Sequence, residues 1–525
     1  MTTTQAPRPT TEAAVGMGAV AAVSRLVGFV RVLVVAAVLG TTYLGNAFQS
    51  ANSLSNVLFE LLAAGALSAV LVPVFVGLLD RDDQEEAEHV AGAVLGAALL
   101  VLGALSVVGI LAAPLLARAL TAGVPDDIAG PQRELTTHLL RFFVPQVVLY
   151  AAGTVATAVL HARRRFAMAA AAPIGNTVVM VAALVALRAL TDGDPSFSLS
   201  TVERALLVVA GTGGVIAFVG LLLVTCAASG FRLRPRLPRR EPRVIDALRH
   251  SGWGVALHTG SGLLLGGALV TGAAVEGGVV AYQVAWVFFL APYAILAQPI
   301  HTTILPELVG EAADPVRFSA SIRWALERMA LLVLPVAAGL IALASTAMKA
   351  ATFGETGPDG AALIAAALAT LAIGLFPYGA FLLLARGFYA LGDSRTPALV
   401  ALVTAVGGVG VMVIGAVIAD GEPRIAALGL GHSVAFVLGT VWLGVLLTRR
   451  LGSSIVPAAL VRIAALAAVG GAVAWTLVQV VAGDDPSRGL AIAACALAAG
   501  VAGAVVYGGL RVLGVDAALT QRAAS

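Results

Sequence analysis

Apolar residues run along this chain in long blocks, each closed by a short polar break, from near residue 14 to near residue 513. The blocks fall at roughly 14–40, 50–79, 89–119, 135–161, 168–190, 203–228, 251–273, 278–305, 326–348, 361–389, 397–419, 425–447, 457–481 and 488–513. A bilayer core of roughly 30 Å needs about 20 apolar residues per helix, and every block meets that length. The pattern predicts an all-α polytopic membrane protein with about 14 transmembrane helices. Composition agrees: 59% of the 525 residues are hydrophobic and 12% charged, whereas about a quarter of a soluble domain is charged.

The polar breaks set the expected orientation. Arginines gather after the fourth block (Arg163–Arg165), after the sixth (Arg232, Arg234, Arg236, Arg239, Arg240, Arg243, Arg249) and after the twelfth (Arg449, Arg450). Basic loops stay in the cytoplasm, so these even-numbered loops and both termini are expected there. The Arg/Pro stretch from Phe231 to Arg243 divides the chain near its middle. Pro145 and Tyr150 before the Arg163–Arg165 turn and Pro173 match Pro377 and Tyr378 before Arg386–Asp393 and Pro397, as in duplicated transporter lobes. The layout is therefore a disordered cytoplasmic tail at 1–12, a six-helix lobe at 13–230 and a basic cytoplasmic linker at 231–250. A second six-helix lobe at 251–450, two additional helices at 451–515 and a cytoplasmic tail at 516–525 complete it.

Charges inside such blocks are costly, at least ~2.5–3.5 kcal/mol each at mid-membrane, and need a partner or a wet cavity. Arg25, Arg31 and Glu60 lie in the first two blocks. Gln49, Asn52, Asn56 and Glu60 follow at steps of three, four and four, which puts them along one helical face. Interhelical hydrogen bonding is the bland account of that stripe, and snorkelling toward the cytoplasmic end is the bland account of the arginines. An arginine fork also suits bidentate phosphate recognition, with a second arginine neutralising Glu60. Pro292 and Pro299 each remove a backbone donor and mark the eighth block for a break. His258 and His301 read as hydrogen-bonded core histidines, and Arg386 with Asp393–Arg395 as organisers of a cytoplasmic turn. Cys226 and Cys495 have no ligand-spaced neighbours, so no metal site or disulfide is expected. No Walker A pattern is present, and no carboxylate or histidine cluster suggests a membrane enzyme.

The run Ser24-Arg25-Leu26-Val27-Gly28-Phe29-Val30-Arg31 resembles the opening signature of the MurJ/MviN family of lipid II flippases. The resemblance continues through Asn46-Ala47-Phe48, Asn56 to Ser68, Val72–Phe75, Pro292–Pro306 and the Gly374–Pro397 turn. It implies flipping of an undecaprenyl-pyrophosphate-linked peptidoglycan precursor across the bacterial cytoplasmic membrane by alternating access. The partners expected are lipid II or a related undecaprenyl-linked precursor and membrane lipids, with no nucleic acid. A monomer working beside cell-wall synthesis proteins is expected, with no cofactor and with membrane potential or an ion gradient as the drive. Substrate contacts are assigned to Arg25, Arg31, Asn52, Asn56 and Glu60, and a cavity or gate role to Gly28, Asn46, Gln49, His258 and Arg386. The family often has Asp where Asn46 stands, paired arginines at Phe59-Glu60, and Arg and Glu at Val287 and Leu290. These departures leave room for a related lipid-linked glycan. The alternative is an ion-coupled exporter of drugs or another polyprenyl-linked glycan from the same superfamily.

Overall fold

The computed structural model describes residues 11–59, 75–79, 83–191, 197–236, 242–483 and 486–514. Eleven helical spans among them are long and apolar enough to cross a membrane, and Leu26–Leu39 and Leu375–Ala390 are shorter apolar helices. Large apolar side chains stand exposed on many of these spans, such as Leu111, Leu115, Val417, Ile418 and Val480. In water such surfaces would associate; facing lipid tails they carry no penalty. The chain separates into two compact units. One comprises Met1–Val38, Ala47–Ala119 and Gly130–Val255, the other Leu39–Asn46, Leu120–Ala129 and Ala256–Ser525.

Helices α1 (Thr11–Leu39), α2 (Tyr43–Phe59), α3 (Gln84–Leu120), α4 (Asp126–Phe143) and α5 (Gln146–Ala162) supply much of the first unit. They are followed by α6 (Phe166–Leu190), α7 (Thr201–Val208) and α8 (Gly214–Ala228). Its core gathers Phe75, Val90, Val94, Val155, Val159, Leu222 and Phe231. The break between α4 and α5 falls at Val144-Pro145, because Pro145 has no N–H to continue the helical ladder. Between α7 and α8 a π-helical turn covers Val209–Gly213. Thr212 Oγ1 donates there to the Phe142 carbonyl at 2.9 Å and accepts from Gln146 Nε2 at 2.9 Å, tying the π turn to the α4–α5 break. Arg163 lies 5.4 Å over the Phe231 ring and donates to Gln84 Oε1 at 2.6 Å. Arg236 N donates to the Gly92 carbonyl at 2.9 Å. The start of the basic linker is thus pinned to the first unit rather than trailing from it.

The second unit takes the end of α9 (Pro242–Gly272), then α10 (Gly278–Pro292), α11 (Gln298–Gly310) and α12 (Pro315–Ala351). After these come α13 (Gly357–Ile373), α14 (Leu375–Ala390), α15 (Arg395–Ile418), α16 (Gly421–Leu451), α17 (Leu460–Ala482) and α18 (Arg488–Val512). The proline pair expected to break the eighth block does so: a second π turn, Tyr293–Ala297, sits between Pro292 and Pro299. Helix α16 packs at backbone distance on α13 and α15. A Cβ on Gly429 would lie 2.5 Å from the Ala367 carbonyl oxygen, and one on Gly408 2.5 Å from that of Gly431. Such closeness between membrane helices is what small residues permit. Helices α17 and α18 pack on each other and on α12, so the last two helices belong to this unit.

Candidate substrate cavity

The first unit holds a polar cleft of about 190 Å³. Arg31 of α1, Asn52 and Asn56 of α2, Tyr150 of α5, Asn176 of α6 and Gly211 of the π turn line it. Helical geometry explains the convergence, since a step of four places Asn52 and Asn56 on one face of α2. The π turn brings the Gly211 backbone into the wall, where a Cβ would sit 2.4 Å from the Phe143 ring. π-bulges are frequent at functional sites because they re-aim backbone without ending a helix. Tyr150 is near enough to Arg31 for the two to interact electrostatically. The Asn176 Oδ1 atom is buried and has no hydrogen-bond partner among the described residues. One fixed cation, three amides and a phenol thus face a space large enough for several waters or an anionic group.

Of the residues expected here, Arg31, Asn52 and Asn56 meet in the cleft. Glu60 and the Arg25 side chain lie outside the described residues, and with them the proposed carboxylate–arginine pair. Gly28 has open space where a Cβ would be, and Gln49 donates to Ser53 Oγ along its own helix at 3.2 Å. Asn46 does other work. Its amide donates to the Val275 carbonyl at 2.8 Å and its Oδ1 accepts from Val279 N at 3.0 Å, which fixes the turn entering α10 within the second unit. Gly277 at that turn has φ +68°, a conformation glycine adopts readily.

The histidine and turn expectations need two corrections. His258 is exposed on α9 and makes no hydrogen bond among the described residues, so it is no core histidine. Arg386 does not join the Asp393 turn; it donates to His301 Nδ1 at 3.2 Å and to the Leu382 carbonyl at 3.1 Å. His301 is fully buried as expected. Because Arg386 can only donate, His301 Nδ1 is the acceptor, shared with the Tyr293 hydroxyl at 3.2 Å, and Nε2–H faces Met329 Sδ. His432, which sequence reasoning did not single out, lies close by in an aromatic cluster of Tyr282, Trp286, Phe289, Tyr378 and Phe436. Its Nδ1 meets the Leu428 carbonyl at 3.0 Å, so that nitrogen carries the proton and Nε2 accepts from the Tyr282 hydroxyl at 3.0 Å.

A multi-pass helical bundle with broken helices and a polar cleft in one unit suits a transporter. Residues 35–484 match the model of the family described as "Lipid II flippase MurJ", and the chain belongs to that family. A curated relative, "Lipid II flippase MurJ" of Burkholderia cenocepacia, is 28% identical over 393 residues, 72% of this chain and 73% of its own. The fold is similar to a solved structure entitled "Lipid II flippase MurJ, inward closed conformation", with a TM-score of 0.72 and 16% identity. That likeness covers 94% of this chain and 99% of the other. An inward-facing multidrug resistance MATE family transporter of the MOP superfamily is similar at a TM-score of 0.63 and 14% identity, over 84% and 99% of the two chains. Membership places the chain among multi-pass proteins of the bacterial inner membrane.

Proposed function

We propose that the chain carries lipid II from the inner to the outer leaflet by alternating access, with the Arg31 cleft contacting the diphosphate. The observation that carries this reading is the joining of Arg31 to Asn52, Asn56 and Asn176, whose Oδ1 has no partner among the described residues, in one cleft of a MurJ-family chain. A guanidinium with amide donors beside it can hold a diphosphate by charge-assisted hydrogen bonds. A second recess supports a path for the polyprenyl tail. It measures about 430 Å³, is almost wholly apolar, and is lined by Gly339 of α12, Gly470 and Gly471 of α17, and Ala502 and Gly503 of α18.

About 14 crossing helices with both termini cytoplasmic is the orientation supported by the arginine-rich even loops. Reporter fusions after Arg240 and after Asp485 should report inside and outside respectively; an outside signal at Arg240 overturns it. A monomer is supported by a cleft lined wholly by the first unit of one chain, and contact with cell-wall synthesis proteins is open to crosslinking in cells. The central test is depletion of the host flippase followed by accessibility labelling of lipid II in each leaflet. This chain should restore outer-leaflet lipid II, and failure at normal membrane levels overturns the assignment.

A further inference from the structure

The first unit carries a second charged recess that the cleft above does not use. Arg133, Glu134, His138 and Arg141 of α4 and Arg204 of α7 line a space of about 430 Å³. Glu134, His138 and Arg141 follow at steps of four and three, and Arg133, Thr137 and Arg141 at steps of four, so these residues share one broad face of the helix. The opposite face is apolar and packed: Leu135, Leu139, Leu140 and Phe143 are buried. Arg204 projects from the first turn of α7, whose Ser200 and Glu203 are engaged in a reciprocal cap at 3.3 and 2.7 Å. Glu203 is therefore committed to the cap.

Charge is unbalanced here. Three guanidinium groups and an imidazole face the recess, and the one lining carboxylate is Glu134, 2.8 Å from Arg204. That carboxylate is 68% exposed, so water competes for it and the pair is weakly held. No hydrogen bond or ion pair among the described residues holds the Arg141 guanidinium. With Arg141 unheld, this concave surface keeps positive charge open to solvent, and a concave basic surface concentrates anions. Guanidinium forks match the geometry of phosphate oxygens. Arg141 also lies nine residues before Tyr150 along the α4–α5 path, on the side away from the Arg163–Arg165 turn.

We propose that this recess binds a phosphate or diphosphate headgroup carried on a lipid. Its placement at the outer leaflet, as a station for the departing headgroup, rests on the orientation and transport reading above; the anion binding itself does not.

The test uses the full chain in detergent with Arg31→Gln, which removes the cation of the first cleft. Inorganic pyrophosphate is titrated at low ionic strength, where exposed charges are least screened, and binding is read as a rise in thermal midpoint. Saturable stabilisation is expected, with apparent Kd weakened about fivefold or more by adding Arg141→Gln and partly restored by Arg141→Lys. Arg141 is exposed, so these changes should leave the fold intact. Equal binding by Arg141→Gln and by the triple variant of Arg133, Arg141 and Arg204 to Gln overturns the proposal. Farnesyl diphosphate and phosphatidylglycerol are then added as competitors. Displacement by the first identifies a polyprenyl diphosphate as occupant, and displacement by the second a bulk membrane lipid. Displacement by neither overturns a lipid-borne ligand. Loss of flipping in the Arg31→Gln protein bears on the transport reading alone and leaves this titration interpretable.

Discussion

In the first unit, Arg31, Asn52, Asn56 and Asn176 turn toward a shared open cleft, and Asn176 Oδ1 has no protein partner among the described residues. In the second, one group of buried polar side chains is tied together: Tyr282 to His432, His432 to the Leu428 carbonyl, His301 to Tyr293 and Arg386. Both units contain a π turn. That of the first opens onto the polar cleft at Gly211, whereas that of the second places Tyr293 against Tyr378, ring centroids 4.8 Å apart. A polar group kept unsatisfied costs free energy that packing must offset, so it marks a place where a ligand or water is to be received. A satisfied network instead stiffens the helices that carry it. On the proposed function the first unit receives the headgroup, while the hydrogen-bonded network of the second stiffens the helices that carry it.

The largest effect should come from Arg31. Arg31→Ala removes the one guanidinium lining the first unit's cleft, and should leave the protein at near-normal membrane levels while abolishing complementation of a flippase-depleted strain. Arg31→Lys keeps the charge without the fork and should rescue partly. Full complementation by Arg31→Ala would erase the functional half of the comparison. Next comes Asn176→Leu. Replacing a half-buried amide, whose Oδ1 has no partner among the described residues, with an apolar group of similar size should leave thermal stability unchanged or slightly raised, yet reduce flipping several-fold. A stability loss without a transport loss would mean that Asn176 belongs with the satisfied groups.

His432→Leu should behave in the opposite way. It strands the Tyr282 hydroxyl, which lies fully within the unit, at a cost of about 1–3 kcal/mol in stability. Transport per folded molecule should be retained. Adding Tyr282→Phe should recover part of the loss, because both partners are then apolar. Transport lost ahead of stability would show that the aromatic cluster takes part in the cycle.

How far these distinctions could be read from the chain differs by feature. The helical blocks were legible because lipid-length apolar runs leave no competing account, and the broken eighth block because Pro292 and Pro299 remove donors. Arg31, Asn52 and Asn56 were legible because charge and amides inside apolar runs are costly. Asn176 and Gly211 were not. A single Asn or Gly in an apolar helix carries no signal until a partner helix, distant in sequence, is laid against it. Asn46 shows the converse: the resemblance gave it a cavity or gate role, but the fold has it cap the 273–279 turn. Arg386 was drawn to the Asp393 turn by proximity in sequence, whereas its side chain runs back along α14 to His301.

The smallest expected effect lies at that turn, between α14 and α15. The Asp393 carboxylate accepts from the Thr396 amide at 3.0 Å and hydroxyl at 2.7 Å, and from Arg450 at 3.3 Å. Burial alone would push its carboxyl up, but the Thr396 donors and the Arg450 charge outweigh burial and hold it below the usual carboxylate range. A folded-state pKa below the unfolded value means the stabilisation is complete above the unfolded pKa of about 3.9. It is lost as pH falls through the folded value, where the folded form too takes up the proton. Asp393→Asn keeps the shape and removes the charge, so at pH 7 it should lower stability by about 0.5–1 kcal/mol. The two proteins should converge as the pH drops below about 4. Transport should be unchanged throughout, since the Asp393 carboxylate is already held by Thr396 and Arg450 within the second unit. A stability gap that persists in acid would mean that shape rather than charge holds the turn, and a transport defect at pH 7 would place a working part where the comparison allows none.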